Sequence, residues 1–446
     1  MNLPSAADIV VIGAGLTGAS TALHLAEHRP ELEVVVLEAQ CVAAGASGAG
    51  TGLLGPRLGP PIDVARRRDG DHIARQRHRD SVTAVDRVLT LAEKHAPGTV
   101  TPAAGQLMVA TGAAQATALR RRAAVYATLG LDVVLTETND PWATRTRTAL
   151  AYHPAAGVAP GALTRGLVDA ARAAGVQVLE RTVVRDLEPG VAGWPVHVVT
   201  DRGAVLARAV VVAVDVAHRA GRLSDGLVGP DGQVPLQVSA SATAELPPDL
   251  LAELGGVTAP HVISASALGP YRRITTEGRI VLGGGPAVPV TGSTASSRAS
   301  AARQAWTWQR RQLDVLHPRL RGVPVTHRWS GRIGVTRDGL PRVGRLVVDA
   351  IGPDGEVWTA GGWNGHGLAA TIDAGRRIAD QVLTARRPDL PPARWLLGSS
   401  LARPLVLAAL RLQTPSAPAE SGRGSPIVLD VTRIRPPVPI REETTR

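Results

Sequence analysis

A chain of 446 residues, 44% hydrophobic and 20% charged, is long enough to bury an extensive core and predicts two domains. Its net charge of +11 comes without a nucleic-acid-binding motif and without aromatics interleaved among the basic residues, so the excess reads as solvated arginine faces and no nucleic-acid partner is expected. A single cysteine, Cys41, excludes intrachain disulfides and a cysteine-based zinc site, and no metal site is expected.

Met1 to Asp8 lack a charged region followed by an apolar one, so no signal peptide is expected. No apolar run reaches the roughly 18 residues of a membrane span, and the expected location is the cytoplasm. There is no phenylalanine, only three tyrosines, and Lys94 is the only lysine. Any chemistry that needs a lysine therefore has one candidate.

The first element is a buried parallel strand over 9–12. Gly13-Ala14-Gly15-Leu16-Thr17-Gly18 follows it and opens a helix over 19–27. Gly13 permits the tight turn, Gly15 lets a pyrophosphate approach the backbone, and Gly18 lets the helix pack on the strand. Free N–H groups and about half a positive charge at the helix start would face the diphosphate. A second strand over 33–37 ends at Glu38, twenty residues after Gly18, with Ala39 next. A carboxylate there accepts both hydroxyls of an adenosine ribose and repels a 2′-phosphate. The pattern predicts a dinucleotide site, FAD or NAD. The alternative is a glycine turn with no ligand.

The stretch 45–56 is built of small residues, among them Ala46, Ser47, Gly52 and Leu53. Such a loop lets backbone lie against a flat ligand, or else it is a flexible connector. A helix is expected over 71–95, with apolar positions at Ile73, Val82, Val85, Val88, Leu89 and Ala92 and with Arg75, Arg77 and Arg79 on its other faces. Next come a strand at 105–110, a helix at 113–129 and a strand at 131–135. A helix at 160–174 leads to strands at 176–180, 182–187, 196–200 and 209–214, the last continuously apolar. From 226 to 321 the text changes to short alternating strands and a helix at 301–316. A strand and turn at 358–362 and an amphipathic helix at 368–383 complete the pattern. Sheet elements of the first kind return after an insertion, which implies two interleaved domains.

Beyond 385 the pattern degrades, with ten arginines against five acidic residues from Arg386 on. Residues 401–412 read as one short apolar helix, a weak candidate for membrane-surface contact. Residues 414–446 are expected to be poorly ordered.

Three further segments follow in order: Trp329-Ser330-Gly331, then Thr336-Arg337-Asp338-Gly339-Leu340-Pro341-Arg342-Val343-Gly344, then Trp363-Asn364-Gly365-His366-Gly367. A hairpin text, Tyr271-Arg272-Arg273 to Gly283-Gly284, precedes them. With the N-terminal motif, these resemble the D-amino-acid oxidase superfamily of flavoproteins, which includes glycine, sarcosine and gamma-glutamylputrescine oxidases, over about 9–383.

The resemblance implies an α/β chain with a Rossmann-like FAD-binding domain (1–70, 150–222 and 325–385). Interleaved with it would be an α+β substrate domain (71–149 and 223–324) carrying a large mixed or antiparallel sheet, with 386–446 as a partly disordered extension. FAD would lie along Gly13, Gly15, Leu16, Thr17, Gly18, Glu38 and Ala39 at its ADP half. Ala46, Ser47, Gly52 and Leu53 would line the flavin side, with Val183 and Val184 against the adenine. Gly362, Gly365, His366, Gly367 and Leu368 would sit at the ring, where the helix start stabilises negative charge on reduced flavin. Tyr271, Arg273 and His366 would form the catalytic group. The Arg273 fork would clamp a substrate carboxylate, Tyr271 would donate a hydrogen bond, and Arg272 would face the other way.

Two positions depart from the family pattern. Val281 stands where sarcosine oxidases carry an oxygen-activating lysine, and Thr275 where glycine oxidases place a carboxylate-binding arginine. Cys41 falls at the ribose end, so no covalent flavin bond is expected. The implied reaction oxidises a C–N bond of a small-molecule amine or amino acid by hydride transfer to flavin N5, giving an imine, with O2 reoxidising the flavin and forming H2O2. A dehydrogenase with another acceptor, a dinucleotide-binding protein without turnover and an NAD-loaded site remain open alternatives.

Overall fold

Val34–Leu37 has four consecutive apolar residues, and a strand of that kind must be covered on both faces. In a computed structural model, which describes residues 2–139, 146–216, 233–290, 292–346, 351 and 355–384, it lies inside an eight-stranded sheet. The order runs Val184–Val191, Trp194–Thr200, Gly203–Val212, Ala6–Ile12, Val34–Leu37, Gln177–Leu179. Ala6–Ile12 pairs in parallel with both neighbours, Ile12 standing level with Leu37 and with Val212. Glu356–Gly361 joins Gly203–Val212 in parallel and carries Arg342–Leu346 on its outer edge.

Helices Leu16–His28, Pro160–Ala173 and Gly367–Thr384 bury one face of this sheet. Small residues let the first and last approach closely. A Cβ on Gly375 would stand 2.7 Å from the Thr17 carbonyl oxygen. The hydroxyls of Ser20 and Thr21 donate to the carbonyls of Ile372 and Gly375, at 2.9 and 3.2 Å. Polar groups buried in that contact are thus satisfied within it.

The second large sheet has nine strands and is mixed. Its centre is Gln233–Glu245, Arg279–Gly283, Tyr271–Ile274 and His261–Ser264, followed by Gln106–Val109, Thr146–Tyr152 and Val133–Asn139. His261–Ser264 runs parallel to Gln106–Val109, and the remaining pairs are antiparallel. Val325–Thr336 pairs along nearly the whole of Gln233–Glu245. A three-stranded sheet of Leu53–Leu54, Ala156–Val158 and Val100–Pro102 sits apart from both.

Several elements differ from the sequence pattern. The helix expected from 71 begins at Ile62 and runs to His95, with a break at Gly70 (φ +83°). Its polar first turns gave no periodic signal, and ion pairs such as Arg122 with Asp63 fasten them. The small-residue loop contains one helical turn, Ala46–Ala49, and the short strand Leu53–Leu54. The helix expected at 301–316 starts earlier, at Ala295, where Thr294 accepts a capping hydrogen bond from the Ser297 amide. Strands Thr146–Tyr152 and Val325–Thr336 were not expected as strands. The short helix at 401–412 and the disorder at 414–446 fall outside the described residues, as does any membrane contact there. No described helix is long and apolar enough to cross a membrane.

Candidate functional site

The turn after Ala6–Ile12 is as tight as its glycines suggest. Gly13 adopts φ +102°, and a Cβ there would meet the Ala213 carbonyl oxygen at 2.8 Å. A Cβ on Gly18 would stand 1.9 Å from the Gly13 carbonyl oxygen, so Gly18 holds the helix against the strand. Gly15 precedes the helix and offers no capping side chain. Glu38 is fixed beside this turn. Its two carboxylate oxygens accept from the amides of Ala14 at 2.8 Å and Gln40 at 2.9 Å. Ser47 reaches across from the small-residue loop and accepts from the Leu16 amide at 2.9 Å.

At the far end, Trp363 to Gly367 connects Glu356–Gly361 to the helix Gly367–Thr384. Asn364 adopts φ +55° there, with its side-chain amide donating to the Gly362 carbonyl at 2.7 Å and its side-chain oxygen accepting from the Thr336 amide at 2.8 Å. His366 Nδ1 lies 2.8 Å from the Asn364 carbonyl oxygen. A carbonyl only accepts, so Nδ1 carries the proton and Nε2 is left as an acceptor. Burial, with the Arg57 charge second, pushes His366 down to about 3, so its ring is neutral at physiological pH.

One cavity of about 1500 Å³ joins the two ends. Pockets for single small ligands run to roughly 1,000 Å³, so this one has room for a dinucleotide and a further ligand. Gly13, Gly15, Leu16, Thr17, Glu38, Ala39, Ala46, Ser47, Gly52, Leu53, Val183 and Val184 line its first part. Gly365, His366, Gly367, Leu368 and Tyr271 line its other part. The residues fit FAD: a glycine cradle at one helix start, a fixed carboxylate at the end of the second strand, and a second helix start at the far end. Gly18 and Gly362 serve from behind, one in packing and one as a donor to Asp215.

Arg273 is the correction. It does not line the cavity, and its side chain is directed behind the small-residue loop. Its Nε donates to the Thr51 carbonyl at 2.7 Å, and its two terminal nitrogens lie 3.4 and 3.3 Å from the carbonyls of Ile274 and Val158. Gly52 and Gly157 are bare where they face it; a Cβ on either would stand 2.8 Å from a guanidinium nitrogen. Burial brings Arg273 down to about 10, which leaves it charged at neutral pH. Strand alternation separates it from Arg272 as expected, but the face it occupies is closed over by backbone. The implied carboxylate clamp is therefore not available in this arrangement.

Tyr271 does reach the cavity. Its ring lies across Gly283, its cross-strand partner, where a Cβ would stand 2.0 Å from the ring. Burial raises its hydroxyl above the usual tyrosine range, so it stays a donor. Val281 is buried opposite Arg273 and does not reach the cavity. Lys94 is exposed and pairs with Glu27 at 3.0 Å, so no lysine lines the cavity.

Four residues in or beside the cavity escaped the sequence reading: Asp215, Arg57, Tyr126 and Tyr152. All three tyrosines of the chain line this one space. Their scarcity was the available signal.

A family model described as "DAO: FAD dependent oxidoreductase" matches residues 8–381. Gamma-glutamylputrescine oxidoreductase of Escherichia coli is 28% identical over 379 residues, covering 84% of this chain and 83% of that protein. A probable oxidoreductase, OrdL, of Haemophilus influenzae is 25% identical over 410 residues, with the same coverage of 84% and 83%. The crystal structure of glycine oxidase from Geobacillus kaustophilus superposes with a TM-score of 0.70 at 20% identity, covering 89% of this chain and 100% of that one. L-proline dehydrogenase from P. horikoshii gives 0.67 at 20% identity, covering 87% and 96%. These structural likenesses establish the shared fold.

Proposed function

The chain belongs to the family of DAO-type FAD dependent oxidoreductases, and on that premise we propose that it oxidises the C–N bond of an amine or amino acid. The observation that carries the proposal is the continuous cavity. The Gly15 turn, residues 363–367 and the tyrosines Tyr271, Tyr126 and Tyr152 all line it. Relatives named for an amine substrate and for amino acids support the same reading.

FAD, when bound, would supply the electron acceptor, and the proposed step is hydride transfer from the carbon beside the uncharged substrate nitrogen to flavin N5, leaving a protonated imine that water hydrolyses. The chain's part is to bind, orient and exclude water. Glu38 holds the ribose hydroxyls, and the glycine turn and helix start at Leu16 take the diphosphate. Backbone amides opening the helix Gly367–Thr384 stabilise negative charge at their end of the cavity. Tyr271 orients the substrate through its retained proton. His366, neutral and fixed by Asn364, presents Nε2 as an acceptor. An amine that enters uncharged needs no side-chain base. Arg273 acts as a positioning residue that pins Thr51 and Gly52.

A second reading concerns the acceptor. No lysine lines the cavity, and Val281 is buried away from it, which favours a dehydrogenase passing electrons to an acceptor other than O2. Turnover of an amine panel followed by O2 consumption and H2O2 formation, with and without a quinone dye, separates the two. Rapid H2O2 formation supports the oxidase, and turnover only with dye supports the dehydrogenase. Absence of both rejects amine oxidation.

A further inference from the structure

The positive charge of the chain is concentrated. From Gly278 to Arg337 there are ten arginines and one acidic residue, Asp314. These residues build the helix Ala295–Leu316 and the strand Val325–Thr336, which pairs with Gln233–Glu245 alone and so forms an edge of the nine-stranded sheet. The Ser241 hydroxyl donates to Gln309 of the helix at 2.6 Å, and Arg328 stands opposite Ser241 in register. Arg328 therefore emerges on the face that the helix covers.

Carboxylates near this region are already matched. Arg310 pairs with Asp314, Arg279 with Glu245, and Arg319 with Asp249 and Glu253. Arg303, Arg311 and Arg328 are exposed and have no side-chain hydrogen bond or ion pair among the described residues. Arg303 and Arg311 lie two turns apart with Thr307 between them, so they share one exposed face. An uncompensated field of one sign draws an anionic partner to it.

The basic face borders the cavity. Ala299, Ala302 and Trp306 of the helix line it, as do Arg328 and Trp329 of the strand. The Trp306 indole donates to the carbonyls of Ala240 and Trp329 at 3.0 and 3.3 Å, and the Trp329 indole donates to the Ala49 carbonyl at 2.9 Å. Two indoles thus link the basic helix to the small-residue loop. Val315 is the only large apolar side chain exposed on the described helix, which leaves little to enter a lipid surface. No exposed aromatic stands among the arginines to stack on nucleic-acid bases. An acidic protein surface fits best.

We propose that the helix Ala295–Leu316 and the start of Val325–Thr336 form the docking surface for an acidic redox protein that receives the electrons taken from the substrate. The proposal rests on the dehydrogenase form of the amine-oxidation reading. The hydride removed from the substrate carbon leaves the reduced cofactor as two electrons and a proton. The electrons reduce the partner's redox centre, and the proton goes to solvent. Arg303, Arg311 and Arg328 steer the encounter, and the position of the patch beside Trp306 brings the partner to the cavity wall.

The test starts from purified holoenzyme reduced anaerobically with light and EDTA, so no amine takes part. Reoxidation of its flavin is followed after mixing with plant plastocyanin, an acidic copper protein, with cytochrome c, a basic haem protein, and with a neutral quinone dye. At low salt plastocyanin should react roughly tenfold or more faster than cytochrome c, and about 0.5 M NaCl should remove most of that advantage. In the double variant Arg303→Glu with Arg311→Glu, plastocyanin should slow by roughly tenfold or more, with the dye rate unchanged. No preference for plastocyanin, or a preference that either salt or the substitutions leave untouched, overturns the proposal. So does an equal slowing of the dye. Binding to phosphatidylglycerol vesicles or duplex DNA that the double variant loses, without a plastocyanin preference, gives the patch to another anion and also overturns it. Reoxidation by O2 as fast as by plastocyanin at equal concentration overturns the dehydrogenase form and the proposal with it. If the variant does not fold, the salt-sensitive preference of the wild type decides. Failure of every amine to reduce the flavin, with the plastocyanin preference intact, counts against amine oxidation and spares the docking surface.

Discussion

The carboxylate of Asp215 accepts a hydrogen bond from the Gly362 amide at 2.7 Å, and its other oxygen accepts one from the Gly334 amide at 3.0 Å. Three segments far apart in the chain meet at this side chain: the end of Gly203–Val212, the strand Val325–Thr336, and the turn that leads to His366. Burial pushes the Asp215 carboxyl up from its ordinary range, and the backbone donors oppose that. Asp215→Asn replaces one acceptor with a donor facing an N–H. It should cost about 1–3 kcal/mol of stability and reduce the FAD retained on purification. Urea unfolding and the flavin-to-protein absorbance ratio check this. Unchanged stability and full occupancy would show that the junction is held by other contacts.

Tyr271 and Gly283 make a second pair that can be tested. Gly283→Ala places a methyl inside the Tyr271 ring position and should destabilise the protein by about 1–3 kcal/mol through overpacking. With Tyr271→Ala in the same chain, most of that penalty should vanish, which a double-mutant cycle measures. Additive penalties would mean that the ring does not lie over Gly283.

Much of the site could be read from residues that act on their immediate neighbours. Gly13, Gly15 and Gly18 follow an apolar strand, Glu38 ends the next one, and His366 stands at the start of an amphipathic helix. Each leaves a local pattern, and the structure puts their lining members on one cavity. The missed residues act at long range. Nothing around Asp215 signals that Gly334 and Gly362 will bring their amides to it. Alternation showed that Arg272 and Arg273 face opposite ways. It did not show that Thr51 and Val158 would close over the second. Tyr126 and Tyr152 come from a helix and a strand that meet only in the fold. Gly70 was hidden because the polar turns before it carry no apolar period.

Arg273→Met should therefore act on stability. Removing the guanidinium leaves the Thr51 carbonyl without its 2.7 Å donor in a closed space, at roughly 2 kcal/mol or more. The loop carrying Thr51 and Gly52 should loosen, with a lower melting temperature and weaker FAD retention. Discrimination between a carboxylate and its amide should stay as in the wild type. Loss of that discrimination alone, at unchanged stability, would return the clamp to Arg273.

Two histidines give the protein an acid-sensitive stability. Burial leads in both cases, and His366 and His261 each fall to about 3 from the ordinary value of 6.5. The unfolded chain then binds more protons than the folded one between pH 3 and 6.5, so stability rises with pH across that window and levels off above it. At about pH 4.5 each histidine removes at most roughly 2–3 kcal/mol. Urea unfolding at several pH values should show the fall, and His366→Gln should flatten its share. A profile that is level from neutral to acid would mean that these rings protonate freely in the fold.

The most direct test of the central claim is anaerobic addition of amines and amino acids to the purified holoenzyme while its visible flavin bands are followed. The account predicts that at least one amine bleaches those bands and is recovered as the corresponding carbonyl compound after hydrolysis of its imine. A flavin that dithionite reduces but no member of the panel bleaches would contradict it.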